Sequence, residues 1–209
     1  MFLNIPFDDV NGYEKCYLAL IAGLVSLGFV PRSVLEIPAG AADRQRRILN
    51  LLKRCRYSIH DLSRVESSAG RFPRFNMPFE AGLASALALG APNQHDRFIV
   101  ETRPRRVLRT LSDLNGVDVY GHGGTPTGVL RELTNICTRP GVDLGRLQRV
   151  FRGLSRYAER EVRPFAGPAG LFQPSAFTRL VIAAREQDRL LASSAARQFV
   201  GSSKHRRTS

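Results

Sequence analysis

The sequence predicts an α/β domain with five parallel strands covered by helices on both faces, followed by a helical extension. Three observations lead there. Short apolar runs alternate with helical periods through residue 139. Beyond Pro140 strand signals stop and only helical patterns remain. The chain's 209 residues, 43% of them apolar, fit one globular domain with appendages better than two full domains.

Residues 2–7 are apolar and stopped by Pro6 and Asp8-Asp9, which suits a buried first strand. From 11 to 27, Tyr13, Tyr17, Leu20, Leu24 and Leu27 recur at steps of three and four, predicting a helix capped by Gly28. Residues 29–35 read as strand two. Pro38 and Gly40 mark a loop, and Asp43 suits the N-cap of a helix turning Ile48, Leu49, Leu52 and Cys55 inward. Residues 57–60 form strand three and the polar segment 61–73 a loop. Asn76 then opens an apolar helix to Leu89, with Pro78 tolerated in its first turn.

Residues 97–101 and 116–120 are strands four and five, and Thr125-Pro126 starts a helix ending near Cys137. Helices over 144–162 and 176–199 follow, joined by a Pro/Gly-rich link. The expected organisation is an α/β domain over 1–139, an arginine-rich helical extension over 140–200 and a disordered basic tail over 201–209. The change of pattern makes the extension a separable appendage that can pack on the sheet domain or on another copy, so a homo-oligomer is a candidate assembly.

No apolar run approaches the roughly 18 residues of a membrane span, and the N-terminus reads as a strand instead of a cleavable signal, so a cytoplasmic protein without a membrane partner is expected. Cys16, Cys55 and Cys137 are odd in number and far apart, which argues against disulfides and structural zinc. The net charge is +13, and residues 139–209 carry 14 Arg or Lys against 5 Asp or Glu. Basicity of this kind admits a nucleic-acid partner. That partner is the weaker alternative, because aromatic residues are sparse among the arginines and base stacking has little to work with.

In an open parallel sheet, ligands bind outside the carboxyl ends of the strands, near the point where strand order reverses. Asn4, Pro6, Phe7 and Asp8 end strand one, Asp61 and Ser63 end strand three, and the Gly121-His122-Gly123-Gly124 loop ends strand five. Glu80 is expected in the first turn of the helix opened by Asn76, on the same edge. Arg44 and Arg46 start the second helix there and could bind phosphate. The backbone amides of Gly123 and Gly124 offer a phosphate cradle, although tight-turn glycines explain them equally well. Asn76 suits an N-cap as well as a substrate contact, Asp61 an Asx-turn and Glu80 a favourable charge at a helix start. His60, beside Asp61 in an alternating strand, points to the other side of the sheet.

At these residues the sequence resembles the nucleoside 2-deoxyribosyltransferase and TIR-like group. The strand followed by Asp61, the polar loop, Asn76 and the run Glu80-Ala81-Gly82-Leu83-Ala84-Ser85-Ala86 carry the likeness. More narrowly, Phe2 to Asp8, Ser58-Ile59-His60-Asp61-Leu62-Ser63-Arg64 and Pro73-Arg74-Phe75-Asn76-Met77-Pro78-Phe79-Glu80-Ala81-Gly82 resemble a bacterial TIR-like branch associated with defence loci. The resemblance covers residues 1–139. It implies a flavodoxin-like sheet, a sugar-contacting Asp61 and a catalytic Glu80. Deoxyribosyltransferases carry an aspartate where Asn76 stands, so hydrolysis is favoured over transfer.

The expected activity is N-glycosidic cleavage of a nucleotide, with NAD as the foremost candidate and with a role as a defence effector. No cofactor or metal is called for. Glycosidic cleavage passes through a cationic, oxocarbenium-like sugar that a carboxylate can stabilise or trap. Nicotinamide leaves as a neutral base without a general acid, so one dominant carboxylate suits NAD. The alternatives are a nucleotide-sensing or self-associating signalling module without turnover, and a nucleic-acid-binding protein acting through the basic C-terminal helices.

Overall fold

The computed structural model describes residues 1–7, 12–37, 43–65, 75–90 and 93–205, with side chains in the last helix as far as Ser194. Five strands form one sheet: β1 (Phe2–Asn4), β2 (Arg32–Ser33), β3 (Tyr57–Asp61), β4 (Asp96–Glu101) and β5 (Val119–Gly121). Every pairing is parallel and the order is β2-β1-β3-β4-β5, the flavodoxin-like arrangement. Strand order reverses between β1 and β3.

Successive strand residues point to opposite faces, which divides the core into layers. Leu3 joins α1 (Tyr13–Ser26) and α4 (Pro126–Ile136) on one face. On the other, Phe2 packs with Ile48 and Leu52 of α2 (Arg44–Lys53) and Ala84 of α3 (Asn76–Gly90). Helix α1 ends as its sequence predicts. Gly28 takes φ 87° and donates to Val25 O, while Phe29 N donates to Leu24 O, the paired bonds of a Schellman cap.

Three strands are shorter than expected. Strand β1 ends at Asn4, ahead of Pro6, which has no N–H to give a ladder. After Ser33 the chain turns into a single 3-10 turn, Val34–Glu36, because Ser33 and Glu36 form a reciprocal capping box. Strand β5 starts at Val119, since Gly116 at φ 94° and the Val117 N–H to Leu114 O bond spend the preceding residues on a turn.

The extension is built on α1. Only Gly12 and Lys15 are exposed between Gly12 and Leu27, because the sheet covers one side of α1 while α4, α5 (Leu144–Tyr157) and α6 (Pro174–His205) cover the rest. Leu147, Val150 and Leu154 of α5 and Phe177 and Leu180 of α6 belong to the same buried cluster as Tyr17, Leu20 and Ile21. Gly23 admits the close approach of Leu130, Leu133 and Leu147. Glu14, buried on α1, accepts from Arg163 Nη2 at 2.5 Å and from Leu171 N at 3.1 Å. Helix α6 continues to His205, into the segment expected as a tail, and 206–209 lie outside the described residues. No helix among the described residues is long and apolar enough to cross a membrane.

Candidate functional site

The carboxyl ends of β1 and β3 lie side by side at the point of strand reversal, with Asn4 in register with His60. Asp61 ends β3 with no solvent exposure. Its Oδ1 accepts the Ser63 N–H at 2.9 Å, an Asx-turn, while its Oδ2 accepts the Tyr13 hydroxyl at 2.5 Å and faces His122 Nε2 at 3.3 Å. Burial pushes the carboxyl up, but His122, Ser63 and Tyr13 together hold it below its ordinary value. Asp61 therefore ties strand end, α1 and the β5 loop together. A sugar hydroxyl reaches it only if one of these donors yields.

His122 does not form a nucleophile relay with Ser63. Ser63 Oγ lies 3.1 Å from Nε2, the same nitrogen that faces Asp61, whereas Nδ1 accepts the Gly124 N–H at 3.2 Å. A serine-activating histidine needs its two ring nitrogens divided between nucleophile and carboxylate.

Asn4 heads a second buried network. Its Nδ2 donates to Met77 O at 2.9 Å in the first turn of α3 and lies 3.0 Å from His60 Nδ1. His60 Nε2 is 2.9 Å from Ser58 Oγ, Ser58 Oγ is 2.9 Å from His95 Nε2, and His95 Nδ1 is 2.7 Å from Cys55 O. Cys55 O can only accept, so every hydrogen in the chain has one assignment. His95 donates to it, Ser58 donates to His95, His60 to Ser58, and Asn4 to His60. Burial, then His95 and Arg97, push His60 down to about 3, which keeps its ring uncharged. The amide of Asn4 is thus held from both sides.

Glu80 stands apart. The buried residues of α3 are Met77, Glu80, Ala81 and Ala84, at the i, i+3, i+4, i+7 spacing of a core-facing stripe. A carboxylate thus occupies a position where the rest of the stripe is apolar. Glu80 is 4% exposed and no ion pair to a described residue neutralises it. Burial pushes its carboxyl up to about 7, and the charge of Arg44 opposes the rise. Contrary to the sequence expectation, Glu80 is not in the first helical turn. The helix begins at Asn76, one turn earlier, and no acidic residue occupies the first turn.

The other candidates fall into groups. Phe7 and Arg44 line a cavity of about 210 Å³ with Leu35, Arg47 and Ile48, beside the end of β1. Pro6 is buried and Asn76 is exposed, helical in its own right and directed at Met77 Sδ at 3.7 Å instead of capping. Asp8 lies outside the described residues. Gly123 and Gly124 adopt φ 64° and 68°, but the amide of Gly123 donates to Thr102 O and that of Gly124 to His122. Both amides offered to phosphate are spent on protein acceptors, one after β4 and one within the loop. The structure unites Asp61, Ser63 and the His122 loop, and separately Asn4 and α3; neither Asp61 nor Glu80 is a bonded partner of the other.

Sequence reasoning missed Tyr13, His95 and Glu101. Tyr13 was legible only as an apolar helix position, and His95 lies in a short turn without periodicity. Glu101 ends β4 fully buried, with Oε2 accepting the Val107 N–H at 3.0 Å and Oε1 unpaired. Burial raises its pKa against the pull of Val107 and Arg106. Among the described residues no group of three His, Cys, Asp or Glu side chains is gathered as a metal site, and the three cysteines are free.

Comparison with family models, curated proteins and solved structures returns no match.

Proposed function

We propose that the chain is an N-glycosidase that hydrolyses the glycosidic bond of a nucleotide, NAD foremost, with Glu80 as the catalytic carboxylate. The observation that carries this is the placement of Glu80 on the core-facing stripe of α3, buried, without an ion-pair partner and with its carboxyl pushed up to about 7. A carboxylate that only decorates a helix start sits exposed in the first turn. One held out of water gains most when a positive charge develops beside it, because weak solvation leaves its field unscreened.

In the proposed reaction the C1′–N bond breaks as the sugar becomes oxocarbenium-like. Glu80 stabilises that cation or traps it covalently. Water supplies the new C1′–O bond, nicotinamide departs with the bonding pair as a neutral base, and one proton is released. Asp61 acts here as a positioning residue that fixes the ends of β3 and β5, and the Asn4 amide orients α3 through Met77 O. The likeness of residues 58–64 and 73–82 to TIR-like sequences supports the same assignment and a defence effector role.

The test is incubation of the full chain at high concentration with a panel of nucleosides and nucleotides, read by mass spectrometry. Free nicotinamide with ADP-ribose, or another free base with its sugar product, is the expected outcome. Intact nucleotide bound without base release from any of them contradicts catalysis and favours a sensing module.

A further inference from the structure

We infer that the outer face of α5 is a docking surface for the phosphate backbone of a nucleic-acid duplex. Helix α5 is sharply two-sided. Leu147, Val150 and Leu154 are buried against α1, while Arg149, Arg152 and Arg156 stand exposed at i, i+3 and i+7 on the opposite side. Arg160 continues the row in the π-helical turn Ala158–Val162. At 1.5 Å per residue, a row from 149 to 160 spans about 16 Å.

These four guanidinium groups have no hydrogen-bond or ion-pair partner among the described residues, although acids are close in sequence. The acids are spent elsewhere. Asp143 caps α5 through the Arg146 N–H, Asp188 binds Arg146 at 2.8 Å, Glu159 binds Arg163 at 2.8 Å, and Glu186 binds Arg189 at 2.9 Å. Glu161 alone forms no such pair and lies exposed on the π turn. Four adjacent like charges repel one another in the free protein, and a polyanion relieves that repulsion.

The chemistry of the row selects the kind of polyanion. Arginine presents a planar fork that binds phosphate bidentately. Phe151 and Tyr157, the aromatic residues of α5, are packed against the core, so the row itself offers single-stranded bases no ring to stack on; the exposed ring of Phe165 comes after its end in the chain. A membrane-surface helix needs a free apolar face, and that of α5 is consumed by α1. A duplex asks only for a line of cations, since its backbone carries about one charge per 1.7 Å of axis. This surface is independent of Glu80 and of the glycosidase proposal.

The test is fluorescence anisotropy of short mixed-sequence DNA and RNA duplexes titrated with the full chain across a salt series. Anionic phosphatidylserine vesicles form a second arm. The wild-type chain is expected to bind a duplex with log Kobs falling linearly in log salt. The triple variant Arg149→Gln/Arg152→Gln/Arg156→Gln is expected to lose roughly 2–3 from that slope, about 0.9 per phosphate contact, and at least about tenfold in affinity at low salt. The corresponding Arg→Lys triple keeps the slope, and if the glutamine triple fails to fold, the single Arg→Gln variants replace it, each expected to lose about 0.9. Absence of duplex binding by the wild type, an unchanged slope in the glutamine variants, or binding to vesicles alone overturns the proposal. So does a loss of binding that follows Lys204→Ala/Arg206→Ala/Arg207→Ala instead of α5.

Discussion

His122 faces Asp61 through Nε2, 3.3 Å from Oδ2, because the Gly124 N–H engages Nδ1 and leaves the ring proton on Nε2. The β5 loop, the end of β3 and Tyr13 of α1 therefore meet on one buried carboxylate.

Removing that charge should be expensive. Asp61→Asn is expected to destabilise the chain by roughly 1.5–3 kcal/mol, since the variant weakens the hydrogen bonds that Tyr13, Ser63 and His122 make to a buried charged acceptor. The folded carboxyl sits below its ordinary 3.8, so its contribution is present above that pH and is lost as pH falls further. Urea melts of both chains from neutral to acid pH provide the check. A constant gap below 3.8 contradicts the assignment.

Glu80 carries the opposite sign. Its folded pKa of about 7 lies above the ordinary 4.5, so the folded chain holds a proton that the unfolded chain releases between these values. Stability from this site is full below 4.5 and declines as pH rises through 7. Glu80→Gln should therefore be more stable than wild type at pH 8, on the order of 2–3 kcal/mol, with the difference vanishing near pH 5. Equal stability of both chains across this range would show that Glu80 is well solvated.

The acid limb also reports on His60. Its pKa near 3, against 6.5 unfolded, means stability falls as pH drops below 6.5. His60→Leu should remove that dependence and cost roughly 1–3 kcal/mol for each of the hydrogen bonds to Asn4 and Ser58 that it deletes. A variant with wild-type stability at neutral pH would rule out the buried chain from Asn4 to Cys55.

Much of this architecture was legible in the sequence, and the limits have physical causes. Alternating patterns gave the five strands and their crossovers, and Gly28 and Asp43 marked helix ends that the backbone confirms. The second face of α1 was written in Leu18, Ile21 and Val25, yet what covers it lies more than 100 residues away in sequence, beyond the reach of local periodicity. Strand-end reasoning put Asp61 at the carboxyl end of β3, where it stands, and expected Glu80 in the first turn of α3, which the helix start at Asn76 corrects. That Asp61 is closed off by Tyr13 and His122, and that the glycine-loop amides turn inward, depends on side-chain directions that spacing does not encode.

The same contact alters the status of the extension. Because α5 and α6 complete the shell around α1, a chain ending at residue 139 exposes Leu18, Ile21 and Val25, each worth roughly 1.5–3 kcal/mol of burial. Deletion of 140–209 is expected to abolish cooperative unfolding, in place of the modest change in solubility that a separable appendage implies. A truncated chain with a sharp thermal transition would contradict the shared core.

Nicotinamide release from NAD by wild type and Glu80→Gln, at equal folded concentration, decides whether Glu80 is the catalytic carboxylate. The substitution preserves size and hydrogen-bonding capacity while removing the charge that the cationic sugar needs. Wild-type turnover should rise with pH to a plateau above about 7, as Glu80 ionises. The variant should lose at least about 100-fold in rate while binding nucleotide with similar affinity. Equal turnover by the two chains would remove Glu80 from the chemistry.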